Sequence, residues 1–163
     1  MQSFLIFDFN LKSDLTNWRI VNDAVMGGQS ESKFYLNLDG NGTFEGNVSL
    51  ENNGGFCSVK YIFESLFLKS ATHFCIRLKG DGKQYQFRVK TYRTDSHSYV
   101  FPFQINTDWQ NIEIPINELY PTFRGRKLDL PNYDGSNLQE IAFLIGNKKK
   151  EHFQLLIDYI KVK

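Results

Sequence analysis

Apolar and polar residues alternate with a period of two from one end of this chain to the other. That pattern calls for β-sheet and argues against a helical bundle. In residues 84–91, Tyr85, Phe87 and Val89 point one way, and Gln84, Gln86, Arg88 and Lys90 point the other. Phe74, Ile76 and Leu78 alternate with His73, Cys75, Arg77 and Lys79. Phe44, Gly46, Val48 and Leu50 alternate with Thr43, Glu45, Asn47 and Ser49. Further strands are predicted near 3–9, 18–21, 32–38, 56–63, 98–105, 109–115, 139–145 and 153–162, with one helical turn near Pro115–Leu119. About eleven short strands separated by turn signals fit an all-β, two-sheet antiparallel sandwich of the jelly-roll kind. Pro102 within one strand places it at an edge or beside a bulge. Fifteen Phe and eight Tyr agree with this reading, because aromatic side chains suit a pleated, half-buried surface.

The 163 residues are read as a single domain spanning 1–163, long enough to bury a core without covalent staples. Nineteen basic and eighteen acidic residues leave a net charge of +1, which provides no field to gather phosphate backbones, so nucleic acid is not an expected partner. Cys57 and Cys75 are too few for a disulfide framework or an all-thiolate zinc site. By parity Cys57 shares a face with Val59, Tyr61 and Phe63, and Cys75 with Arg77 and Lys79. Within one sheet the two thiols would face opposite sides. The opening MQSFLIFDFNLKSD has no basic n-region, and Asp8 breaks its apolar stretch. It reads as neither signal peptide nor membrane span, so a cytoplasmic location without membrane insertion is expected.

Four segments differ from ordinary turns: Trp18–Ser30, Glu51–Phe56, Gly80–Lys83 and Tyr120–Arg126. Successive connections in an antiparallel sandwich lie at alternate ends. The first three segments are therefore expected at one end, with residues 116–138 long enough to run back towards them. The glycines of Met26-Gly27-Gly28 and Asn52-Asn53-Gly54-Gly55 admit two readings. One is close approach of a ligand. The other is a buried interlock in which Asn22, Asp23, Asn52 and Asn53 satisfy backbone groups.

Signals for catalysis are sparse. His73, His97 and His152 stand on an outward strand position and in polar turns, without carboxylate or thiol partners at metal-ligand spacing. Ser30 lacks a nucleophile elbow, and no phosphate-binding glycine loop follows a strand. Asp23 and Asp81 share the expected loop end but lack a third group to tune them as an acid–base pair. Asp8 and Asp158, in the first and last strands, are read as cross-strand hydrogen-bonding groups in preference to calcium ligands. No metal or cofactor is expected.

At these motifs the sequence resembles the complex I intermediate-associated protein 30 family. The carrying residues are W-x3-N-D-x-V-M-G-G-x-S at Trp18–Ser30, E-N-N-G-G-F-x-S-V at Glu51–Val59 and R-L-K-G-D-G-K-x-Y at Arg77–Tyr85. Trp109 with Pro115, P-T-F-R-G-R at Pro121–Arg126 and L-L-I-D-Y-I at Leu155–Ile160 continue the order. Ala24 stands where that family pattern has glycine. The resemblance implies a galactose-binding-like jelly roll and an assembly or chaperone role, since mitochondrial members act on respiratory complex I. The expected function is thus a non-catalytic protein-interaction module, with a protein client that includes membrane-complex subunits. Its expected binding residues are Trp18, Asn22, Asp23, Met26, Gly27, Gly28, Ser30, Asn52, Asn53, Gly54, Phe56, Arg77, Asp81, Tyr85, Phe123 and Arg124. Trp18, Met26, Phe56 and Phe123 serve as apolar anchors, with Asp23 and Arg124 as polar pins. The alternative is a carbohydrate-binding module using a polar sheet face of Gln84, Gln86, Arg77, Arg88 and Lys60, although few aromatics share that face. A third reading is an enzyme that uses Asp23, Asp81 or Arg124 on a small substrate.

Overall fold

A computed structural model describes residues 4–23, 27–68 and 70–163. Its strands are β1 (Phe4–Asp8), β2 (Trp18–Ile20), β3 (Glu31–Leu36), β4 (Gly42–Val48), β5 (Cys57–Leu66), β6 (His73–Lys79) and β7 (Gln84–Lys90). They continue with β8 (Ser98–Gln104), β9 (Gln110–Pro115), β10 (Tyr120–Phe123), β11 (Arg126–Lys127), β12 (Leu138–Ile145) and β13 (Glu151–Val162). The helical turn predicted near Pro115–Leu119 is a 3-10 turn at Ile116–Glu118. No helix of the described residues is long and apolar enough to cross a membrane.

The strands form two antiparallel sheets. One has the order β3-β4-β13-β6-β9, and β1 also pairs with β13. β13 is long enough for β4 to occupy Glu151–Ile157 along one edge and β1 to continue that edge over Tyr159–Val162. The other sheet has the order β11-β10-β8-β7-β12-β5-β2. The two sheets enclose one core, in which Phe74, Phe87, Phe143 and Phe153 are fully buried. Phe74 meets Phe87 across the sheets at 5.0 Å, and Phe87 meets Phe143 at 5.5 Å, so the alternation of β7 becomes inter-sheet packing.

Several local expectations change once the strands are paired. Cys57 and Cys75 lie in different sheets, Cys57 in the core and Cys75 facing away from it, and both are free. Pro102 lies in a strand flanked on both sides, but β10 pairs only with Ser98–Val100, so the edge beside Pro102 carries no partner. That tolerates its missing N–H. Residues 116–138 do not run back along the sandwich. Tyr120 pairs with Val100 and Thr122 with Ser98, which directs β10 away from the Asp23 end. Asn137 Nδ2 donates to Thr91 O at 3.0 Å, and Leu68 N to Gly135 O at 3.2 Å, so the segment stays at the opposite end.

Phe87→Ala removes the ring on which both sheets close and is expected to cost about 3–5 kcal/mol in urea unfolding. Phe123→Ala, at a half-exposed ring, is expected to stay within about 0.5 kcal/mol.

Candidate functional site

The β2–β3 and β4–β5 connections are two of the places where the chain crosses between sheets at one end, and a single carboxylate ties them together. Asp23 Oδ1 accepts from Ser30 N at 3.0 Å. Its Oδ2 accepts from Gly55 N at 2.6 Å, from Phe56 N at 3.2 Å and from the Ser30 hydroxyl. Ser30 Oγ in turn accepts from Ser49 N at 2.8 Å. Asp23 is 1% exposed. Burial works to raise its pKa, but the bonds from Ser30, Gly55 and Phe56 prevail and hold it below the usual carboxylate range. Gly28 and Gly54 are needed because a Cβ on either would lie 2.3 Å from Asp23 Cγ or 2.5 Å from its Oδ2. Gly27, with φ +88°, makes the turn that leads to Gly28. Asn22 Oδ1 accepts from Ser32 Oγ at 2.7 Å, and Asn52 takes a left-handed conformation in the 3-10 turn Glu51–Asn53. Ala24, Met26 and the Asn53 side chain lie outside the described residues.

The other expected site residues do not gather around Asp23. Trp18 is buried between Phe34 of one sheet and Tyr61 of the other, each ring centroid 4.9 Å away, with Phe7 and Phe9 at its edges. Phe56 is half-buried beside the Asp23 knot. Asp81 shares that end but serves its own cluster. Its Oδ2 accepts from Tyr85 OH at 3.0 Å and Gln154 N at 2.8 Å, and burial together with the Asp81 charge raises the Tyr85 pKa. Arg77 projects from the outer face of the six-stranded sheet, donates to Asp158 at 2.8 Å and stacks over Trp109 at 4.4 Å. It is therefore not on the face that carries Arg88. Phe123 and Arg124 occupy the β10–β11 turn at the opposite end, with the guanidinium 5.2 Å from the Phe123 ring.

Strand register assembles a different surface on the outer side of the seven-stranded sheet. One row across it runs Tyr120, Val100, Arg88, Ala142, Lys60 and Arg19. The next holds Lys90, Glu140 and Ile62, with Ser98 beside Thr122 on β8 and β10, and Pro102, Gln86, Leu144 and Ser58 lie on the other side. Val100, Ala142, Ser58, Ser98 and Thr122 point away from the core yet are buried beneath their longer neighbours. Arg19, Lys60, Arg88, Lys90 and Lys127 share this face with the acids Glu140 and Glu64, and among the described residues Tyr120 is the one aromatic in its paired rows. Glu140 lies 3.6 Å from Lys60 Nζ. Arg88 donates to Gln86 Oε1 at 2.8 Å, and burial lowers its pKa against the opposing charges of Glu140 and Tyr120. Parity in β7 revealed Arg88 and Gln86. Recognising the patch also required knowing that β5, β12 and β7 are neighbours. A cleft of ≈ 230 Å³ between Asn17, Arg19, Ile62, Phe63, Glu64 and Arg93 marks one corner. A second, of ≈ 410 Å³ between Gln84, Gln104, Asn147, Lys83 and Glu151, lies at the Asp23 end.

Asp23→Ala would strand buried N–H groups of Ser30, Gly55 and Phe56, with an expected loss of about 3 kcal/mol or more in chemical unfolding. Because the folded pKa is depressed, the stabilisation is present above the ordinary aspartate value of 3.8 and is lost as pH falls through the lower folded value. Asp23→Asn is expected to flatten that part of the stability–pH curve.

Comparison with known proteins agrees with this architecture. The chain is 23% identical to mouse (Mus musculus) complex I intermediate-associated protein 30, mitochondrial, over 186 residues, covering 99% of this chain but only 56% of that protein. It is 26% identical to an uncharacterized protein of Schizosaccharomyces pombe over 173 residues, 89% of this chain and 77% of that one. Among solved structures, the family 11 carbohydrate-binding module of the Clostridium thermocellum cellulase Lic26A-Cel5E superposes with a TM-score of 0.71 at 15% identity, covering 99% of this chain and 94% of that module. A family 29 carbohydrate-binding module gives 0.57 at 10% identity, with 100% and 92% coverage. These likenesses are of fold, an all-β sandwich of jelly-roll modules. Residues 7–157 match the family described as Complex I intermediate-associated protein 30, and the chain belongs to that family.

Proposed function

We propose that this chain is a non-catalytic binding module of the protein-assembly kind, presenting the outer face of its seven-stranded sheet to a protein client. The observation that carries this reading is the face itself. Among the described residues it sets four other cations and two acids around the half-buried Arg88, with Tyr120 the aromatic side chain in its rows. Arginine is enriched at protein interfaces and among their hot spots, and the surrounding lysines suit a polar rim, whereas a sugar platform relies on exposed aromatic rings. The two carboxylates considered for acid–base work are already engaged. Asp23 is sealed within its knot, and Asp81 holds Tyr85 and Gln154. The name of the mouse relative makes intermediates of complex I the first clients to test.

A second reading, carbohydrate binding, is favoured by the ≈ 410 Å³ cleft, where the amides of Gln84, Gln104 and Asn147 suit hydroxyl groups. Among the described residues no aromatic ring lines it.

Tagged protein in its native host separates the two. Leu144→Arg adds bulk to the outer face beside Gln86 and Ser58, while Lys33→Ala alters an exposed position on the other sheet. With both variants folded, a defined client is expected to co-purify with wild type and Lys33→Ala, and to be lost with Leu144→Arg. Equal recovery in all three would remove the face from consideration. Saturable chemical-shift changes around Gln84 and Asn147 with mixed-linked glucan oligosaccharides would favour the sugar reading instead.

A further inference from the structure

Resting on that reading, we infer that Arg88 anchors a carboxylate-binding subsite, so that the client segment laid across the seven-stranded sheet is an acidic peptide.

Arg88 sits near the middle of its row, between Val100 of β8 and Ala142 of β12, both of them buried. A guanidinium has five N–H donors and no acceptor. Among the described residues, one hydrogen bond, Nη1 to Gln86 Oε1, is made to protein. The remaining donors open onto the face in a setting where apolar neighbours reduce screening. Charge compensation within the face is incomplete. Glu140 is the acid in the adjoining row, and it is shared between Lys60, at 3.6 Å, and the field at Arg88. Lys90 is occupied by the Asp95 carbonyl at 2.8 Å, which accepts a hydrogen bond but brings no negative charge. A planar carboxylate satisfies both deficits at once, by taking paired N–H bonds from the arginine fork and supplying the missing charge.

Other ligand chemistries fit less well. A neutral sugar leaves the excess charge in place and, in the paired rows of the described residues, finds Tyr120 as its one ring. A single-stranded nucleic acid needs a continuous basic track with several stacking rings. An extended acidic peptide needs neither, and Lys60 and Arg19 continue the cationic row beyond Ala142.

Fluorescence anisotropy with labelled hexaglutamate, and hexaglutamine as the neutral control, tests this on the full chain. Wild type is expected to bind hexaglutamate saturably and hexaglutamine not at all, with affinity falling as salt shortens the screening length. Arg88→Gln is expected to weaken binding by ~10-fold or more, Arg88→Lys to recover part of it, and Lys33→Gln to change nothing. Should Arg88→Gln fail to fold, the Arg88 side-chain N–H resonances of wild type serve as the readout. They are expected to shift with hexaglutamate, and their failure to move overturns the assignment. Absence of hexaglutamate binding, undiminished binding in folded Arg88→Gln, or preferential binding of inorganic phosphate or oligo-dT also overturns it. Loss of the client in Leu144→Arg without hexaglutamate binding rejects the carboxylate assignment alone. Client retention in Leu144→Arg rejects the docking face itself.

Discussion

The Asp23 carboxylate is the constraint on which the arrangement of the two sheets depends. Between β2 and β5 the chain passes from the seven-stranded sheet to the six-stranded sheet and back again, and both crossings meet at Asp23. A crossing loop has few neighbours of its own with which to satisfy backbone donors. The carboxylate supplies an acceptor to Ser30 on one crossing and to Gly55 and Phe56 on the other. The spacing of β2 on β5, and of β3 on β4, is therefore set relative to one fixed point. Below that knot, Trp18 fills the gap between Phe34 and Tyr61 and shuts the open side of the sandwich.

This division of labour explains why the most distinctive sequence motifs are not the most available surface. Glycines that look like a ligand loop are small because Asp23 is packed against them. The polar face of the opposite flank has no such signature, being made of isolated residues from separate strands. The proposed docking face lies instead on the regular part of the fold, where strand register holds Arg88, Lys60 and Glu140 at fixed spacing.

Much of the architecture was legible in the alternation. Tyr85, Phe87 and Val89 read inward and are inward, and Pro102 stands where a strand edge is free. β10 and β11 are not legible in the sequence, because Pro121 and the Arg124-Gly125 turn look like loop. Parity tells which face of a strand a residue occupies but not which sheet the strand joins. Parity alone therefore puts Arg77 with Arg88, although β6 belongs to the other sheet. The interlock and the ligand-loop readings of the glycine motifs use the same residue types, and only the four bonds to Asp23 separate them.

The pairing of β13 also bears on how the chain reaches this structure. β13 separates β4 from β6, and it also carries β1, from the other extreme of the sequence. The six-stranded sheet therefore cannot be completed by zipping neighbours in order. Its halves remain without a common partner until residues 151–162 arrive, and β1 must wait across nearly the whole chain for its place. Such long-range closure implies slow folding and a period in which the edges of β4 and β6 stand open to mispairing. Completion of the spine of the six-stranded sheet is thus the step most vulnerable during synthesis.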